Sequence, residues 1–67
     1  MSWKHYYTGK NIVKWKKPGK KLEIFGETIK GKKIWFASVV TKKSIRTKEI
    51  GTKKEAREFA SKYMEKY

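Results

Sequence analysis

Sixty-seven residues suffice for one domain, and seventeen lysines and two arginines against six glutamates give that domain a charge of +13. A chain this short hides only about 60% of its unfolded surface, and with no cysteine and one histidine it has neither a disulfide nor a metal to brace it. Apolar packing must therefore hold the fold, and at 37% apolar and 15% aromatic residues the composition can supply it, unlike that of a disordered basic tail.

The first ten residues carry Trp3, His5, Tyr6 and Tyr7 and show no clean period. From Asn11 to Lys17, Val13 and Trp15 alternate with Lys14 and Lys16, the pattern of a half-buried strand. Lys17-Pro18-Gly19-Lys20 reads as a type II turn, with Pro fixing the first central position and Gly accepting positive φ at the second. A second strand is predicted from Lys21 to Ile29, with Gly26 marking a bulge. Lys30-Gly31 closes a two-residue hairpin onto a third strand, Lys33 to Val40, and Thr41–Lys43 leads into a fourth, Ser44 to Ile50.

Thr52 and Glu55 form a capping box ahead of a helix whose Ala56, Phe59, Ala60, Tyr63 and Tyr67 make one apolar stripe. The chain thus reads as a single α+β domain spanning residues 1–67. It has an aromatic N-terminal segment (1–10), an antiparallel three- to four-stranded meander sheet (11–50), and one C-terminal helix (52–66) packed on one face.

Register gives this pattern its functional content. Closing the first two hairpins at Pro18-Gly19 and Lys30-Gly31 pairs Trp15 with Leu22, Val13 with Ile24, Lys14 with Glu23, Ile24 with Ala37 and Phe25 with Phe36. Paired residues share a face. Val13, Trp15, Leu22, Ile24, Trp35, Ala37 and Val39 therefore line the side that the helix buries, and Lys14, Lys16, Phe25, Phe36 and Ser38 line the open one. The last hairpin has two solutions. A three-residue loop at Thr41–Lys43 puts Ile45 in the core and Arg46 and Lys48 on the open face, whereas a two-residue loop at Lys42-Lys43 does the reverse. The cost of desolvating two cations favours the first.

The open face then combines Lys14, Lys16, Arg46 and Lys48 with the Phe25–Phe36 pair. Lysines neutralise phosphates, and exposed rings stack on bases or wedge into a groove. The alternative is that Phe25 and Phe36 form an ordinary cross-strand pair. Lys53, Lys54 and Arg57 make a second basic patch where the helix N-terminus favours a phosphate; here the alternative is a solvated helix face. Catalysis has no support, since His5 lacks a nucleophile or base partner. The ligand count excludes a metal site, and the isolated glycines form no phosphate loop. Glu23 and Glu49 are expected as cross-strand partners of lysines.

The run Ile34-Trp35-Phe36-Ala37-Ser38-Val39 followed by Gly51-Thr52-Lys53-Lys54-Glu55-Ala56-Arg57-Glu58-Phe59-Ala60 resembles the three-stranded-sheet-plus-helix DNA-binding domains of plant ethylene-response factors and the amino-terminal arm-binding domains of integrases. That resemblance implies DNA contact through the sheet. The arginines typical of that sheet are mostly lysine here, which implies phosphate contact more than base reading. Lys53, Lys54, Ala56 and Arg57 are similar to the phosphate-contacting helix start of double-stranded-RNA-binding domains, although residues 1–20 do not offer the N-terminal helix of that family. A looser likeness, in size, lysine surface, small sheet and C-terminal helix, is to the seven-kilodalton DNA-packaging proteins of thermophilic archaea.

The expected function is duplex DNA binding with limited sequence specificity, because lysine positions a protein on phosphates and only two arginines are present to read guanine. Structured RNA, or docking of an effector-like basic face on an acidic protein surface, are the alternatives. No cofactor or small-molecule substrate is expected. The apolar runs fall short of the ~20 residues of a membrane span, and a cytoplasmic location is expected, with nucleoid association or a virion as the alternatives.

Overall fold

A computed structural model describes residues 3–67; Met1 and Ser2 of the predicted N-terminal segment lie outside the described residues. Five strands, β1 (Lys4–Thr8), β2 (Ile12–Lys17), β3 (Lys20–Ile29), β4 (Lys32–Thr41) and β5 (Ile45–Gly51), precede one helix, α1 (Lys53–Lys66). The strands pair antiparallel in chain order, β1-β2-β3-β4-β5, and so form a pure meander. The sheet is thus one strand larger than the sequence pattern predicted. The added strand falls in the aromatic N-terminal segment, where its pairing with β2 shifts register between His5 and Tyr7. That bulge places two residues opposite one and breaks the alternation by which a strand is read from sequence.

The two central hairpins take the expected registers. Trp15 faces Leu22 and Val13 faces Ile24 across β2–β3. Ile24 faces Ala37 and Phe25 faces Phe36 across β3–β4. Gly19 at φ 84° closes the first turn, and Lys30 and Gly31, at φ 51° and 80°, close the second as a primed turn. Gly26 is not a bulge. β3–β4 pairing runs through it without a break, and its missing side chain instead makes room for the Trp35 indole.

Val13, Leu22, Ile24, Trp35 and Ala37 form the sheet side of the core, and Ala56 and Ala60 form the helix side. Leu22, Ile24, Ala56 and Ala60 are fully buried. The two helix alanines let α1 approach closely, and the helix lies mainly over β3 and β4. Trp3, Trp15, Val39, Ile50, Phe59, Tyr63 and Met64 close the margin of this cluster. At the helix start the capping box is complete. Glu55 N–H donates to Thr52 Oγ1 at 3.2 Å, and Thr52 N–H donates back to Glu55 Oε1 at 3.3 Å.

The fifth strand departs from expectation. Val40 pairs with Ile45, Val39 with Arg46, Ser38 with Thr47 and Ala37 with Lys48. Ile45 therefore lies on the open face, 71% exposed, and Arg46 and Lys48 lie on the helix side. The tight loop at Lys42-Lys43 fixes this choice. Thr41 N–H donates to the Ser44 carbonyl at 2.8 Å, while Thr41 Oγ1 accepts from the N–H groups of Lys43 and Ser44 at 3.3 and 3.2 Å. The expected penalty for buried cations does not arise, because β5 is an edge strand and both side chains stay exposed. A second register shift, between the Trp35–Gly51 and Phe36–Glu49 pairs, makes Ile50 the extra residue and returns it to the core.

Candidate nucleic-acid interface

Three lysines stand side by side across the open face. Lys4 of β1 pairs with Lys16 of β2, and Lys16 pairs with Lys21 of β3. All three are exposed, and neighbouring strands are about 4.8 Å apart. Like charges directly opposite one another destabilise a sheet, so this row is a cost to the fold on its own. A bound polyanion would convert the cost into attraction.

The β1 bulge supplies aromatic rings to the same corner. Lys16 Nζ lies 4.9 Å from the centroid of the Tyr6 ring, and Lys14 Nζ lies 5.8 Å from that of Tyr7. The two tyrosines are 42% and 50% exposed. Lysine and tyrosine therefore interleave at the β1–β2–β3 corner, the composition suited to phosphate neutralisation combined with contact to sugar or base. Tyr6, Tyr7, Lys4 and Lys21 were not among the residues singled out from sequence. The exposed tyrosine pair in an otherwise polar segment was the available signal, and the bulge hid the strand that presents it.

The nine residues chosen from sequence divide between two sides of the molecule. Lys14, Lys16, Phe25 and Phe36 do share the open face. Arg46 and Lys48 do not, because the β5 register turns them to the helix side. The Phe25–Phe36 pair instead has Glu49 as its β5 neighbour, opposite Phe36. These two rings stack on each other at 5.5 Å with planes 16° apart and are half-buried, unlike the exposed Tyr6 and Tyr7.

Glu23 pairs with Lys14 at 3.8 Å, as expected, and this is the one ion pair among the described residues. Glu49, opposite Phe36, has no lysine partner there. Glu27 and Glu49 lie on the β3–β5 part of the open face, while Glu23 borders the β1–β2–β3 corner and is taken up by Lys14. The cations of the open face concentrate at the β1–β2–β3 corner.

Lys53, Lys54 and Arg57 lie away from the open face. Lys53 Nζ sits 5.7 Å from the Trp35 ring centroid. Lys54 and Arg57 share the outer helix surface with Glu58 and Glu65. The helix N-terminus expected to take a phosphate already holds the Glu55 carboxylate, which accepts from both Thr52 N–H and Thr52 Oγ1–H. Its first-turn donors are in part satisfied from within.

The exposed His5 is hydrogen-bonded to Thr8 Oγ1. Among the described residues no cluster of three His, Cys, Asp or Glu side chains is arranged to hold a metal. No helix among the described residues is long and apolar enough to cross a membrane. No family model, curated protein or solved structure matches this chain.

Proposed function

We propose that this chain is a nucleic-acid-binding protein, not an enzyme, and that it takes duplex DNA on the β1–β2–β3 corner of its open sheet face with low sequence specificity. The observation that carries this proposal is the unbalanced Lys4–Lys16–Lys21 row, flanked by the exposed Tyr6 and Tyr7. With one ion pair among the described residues against a net charge of +13, nearly every cation lacks a carboxylate partner within the chain. Lysine contacts of this kind fix a protein on phosphates without discriminating bases. The likeness to sheet-plus-helix DNA-binding domains agrees in one respect, since it too assigns contact to the sheet face away from the helix.

The test is a binding titration by fluorescence anisotropy against labelled duplex DNA, duplex RNA and single strands over a range of salt. Each phosphate neutralised contributes roughly −0.9 to the slope of log affinity against log salt on B-form DNA. Lys16→Ala should then weaken duplex binding on every sequence and flatten that slope by about one. A salt-independent affinity, or a slope unmoved by Lys16→Ala and Lys21→Ala, would remove the open-face site and favour docking on an acidic protein surface.

A further inference from the structure

The β5 register that contradicts the hydrophobic pattern also builds a second feature. On the helix side, β5 and α1 diverge to leave a groove of ≈ 570 Å³. Ala37 and Val39 of β4 form its floor, Arg46 and Lys48 one wall, and Phe59, Tyr63 and Tyr67 the other. Its volume is that of a small-ligand site. The two walls differ in chemistry. The helix wall is an aromatic ladder, Phe59 to Tyr63 at 6.3 Å and Tyr63 to Tyr67 at 4.7 Å between centroids. The strand wall is cationic and exposed, and Lys20 adds a third charge at the far end, 4.7 Å from the Tyr67 ring centroid.

Two observations argue that this arrangement is for a ligand. First, no acidic side chain lines the groove, although the chain carries six glutamates and three of them lie on the helix itself. Second, β5 turns Ile45 to solvent while directing Arg46 and Lys48 toward the helix side. The Thr41–Ser44 hydrogen bonds hold this register, and its consequence is a pair of exposed cations set against an aromatic wall.

We infer that the groove between β5 and α1 binds an unpaired nucleotide of single-stranded nucleic acid, its base against Tyr67 at the exposed end of the ladder and its flanking phosphates on Arg46 and Lys48. A base held in a duplex is stacked and paired, and cannot enter a cleft between a helix and a strand. An unpaired base presents the flat π-surface that aromatic side chains bind without regard to sequence. The site is distinct from the sheet corner and does not depend on it, as Lys4, Lys16 and Lys21 lie on the opposite face.

The experiment measures affinity of the full chain for a labelled oligodeoxythymidine, which cannot self-pair, and for a labelled duplex of mixed sequence. Tyr67→Ala, Tyr67→Phe and Arg46→Gln are compared with Lys16→Ala. Tyr67 is 49% exposed and Arg46 lies on an exposed edge, so neither replacement removes core packing. Tyr67→Ala should weaken oligodeoxythymidine binding roughly 5- to 150-fold, the loss expected of one stacking platform. Tyr67→Phe should retain affinity, Arg46→Gln should reduce it, and both should leave duplex binding as in wild type.

If Tyr67→Ala alters the melting temperature, Arg46→Gln alone carries the test. Unchanged oligodeoxythymidine affinity in Arg46→Gln and Tyr67→Ala would overturn the inference, and so would equal losses on single strand and duplex. Competition by poly-glutamate as effective as that by unlabelled oligodeoxythymidine would overturn it too, because charge alone would then be read. Wild-type binding of duplex without binding of single strands removes the groove site and leaves the sheet site standing; the reverse removes only the sheet site.

Discussion

Gly26 offers a test of the core in which two ordinary effects have opposite signs. It lies opposite Trp35 on the helix side of β3. A Cβ at this position would lie 2.8 Å from Trp35 Cε2, 3.1 Å from Trp35 Cζ2 and 3.0 Å from Lys33 Cε. The lysine end can swing away. The indole is 4% exposed and wedged among core residues, so it must shift or the strands must part. Replacing a strand glycine by alanine would otherwise stabilise by about 0.5–1 kcal/mol through lost unfolded-state freedom. Forcing extra volume into a packed core costs about 1–3 kcal/mol.

The second term exceeds the first, and Gly26→Ala should be destabilising by about 1–2 kcal/mol. In a domain of this size each kcal/mol moves the melting temperature by ~4–8 °C, so a fall of roughly 5–15 °C is expected. Thermal unfolding followed by far-ultraviolet circular dichroism measures it, and the near-ultraviolet tryptophan band reports whether the indole has moved. A melting temperature equal to or above that of wild type would refute the close packing of Trp35 over Gly26.

Three further outcomes follow from the structure. Leu22→Ala, at a fully buried position, should cost about 3–5 kcal/mol in urea unfolding, whereas Phe36→Ala on the open face should cost much less; the reverse order would mean that the two sheet faces have been exchanged. Thr52→Ala removes the capping-box acceptor and should lower stability by about 1 kcal/mol, an effect absent if the helix start is held by other contacts. Lys53→Ala combined with Lys54→Ala should cause equal, small losses in duplex DNA and duplex RNA binding, since Lys53 lies beside Trp35 and the N-terminal donors are engaged by Glu55. A selective loss of RNA affinity would instead restore that patch as an RNA site.

Short-range chemistry made much of this protein legible from its sequence. Pro18-Gly19 and Lys30-Gly31 each dictate where a hairpin closes, and once closed they determine every pair in the three central strands. Thr52 and Glu55 determine the helix start, and Ala56 with Ala60 determines which side it buries. These signals act over a few residues and needed no tertiary information.

Tertiary structure decided the two edges of the sheet. In β1 a single extra residue erased the alternation, so the strand and its tyrosine pair become visible only where β2 provides a partner. In β5 the cost of burying cations would set the register only if the helix covered their side chains. The helix touches β5 as well as β3 and β4, but the Arg46 and Lys48 side chains stay exposed at this edge, so they face the helix side at little cost, and hydrogen bonds around Thr41 and Ser44 hold the register. An edge strand has one neighbour and an incomplete cover, so its hydrophobic pattern is only weakly bound to its facing. The open-face corner and the groove both depend on how an edge strand is placed.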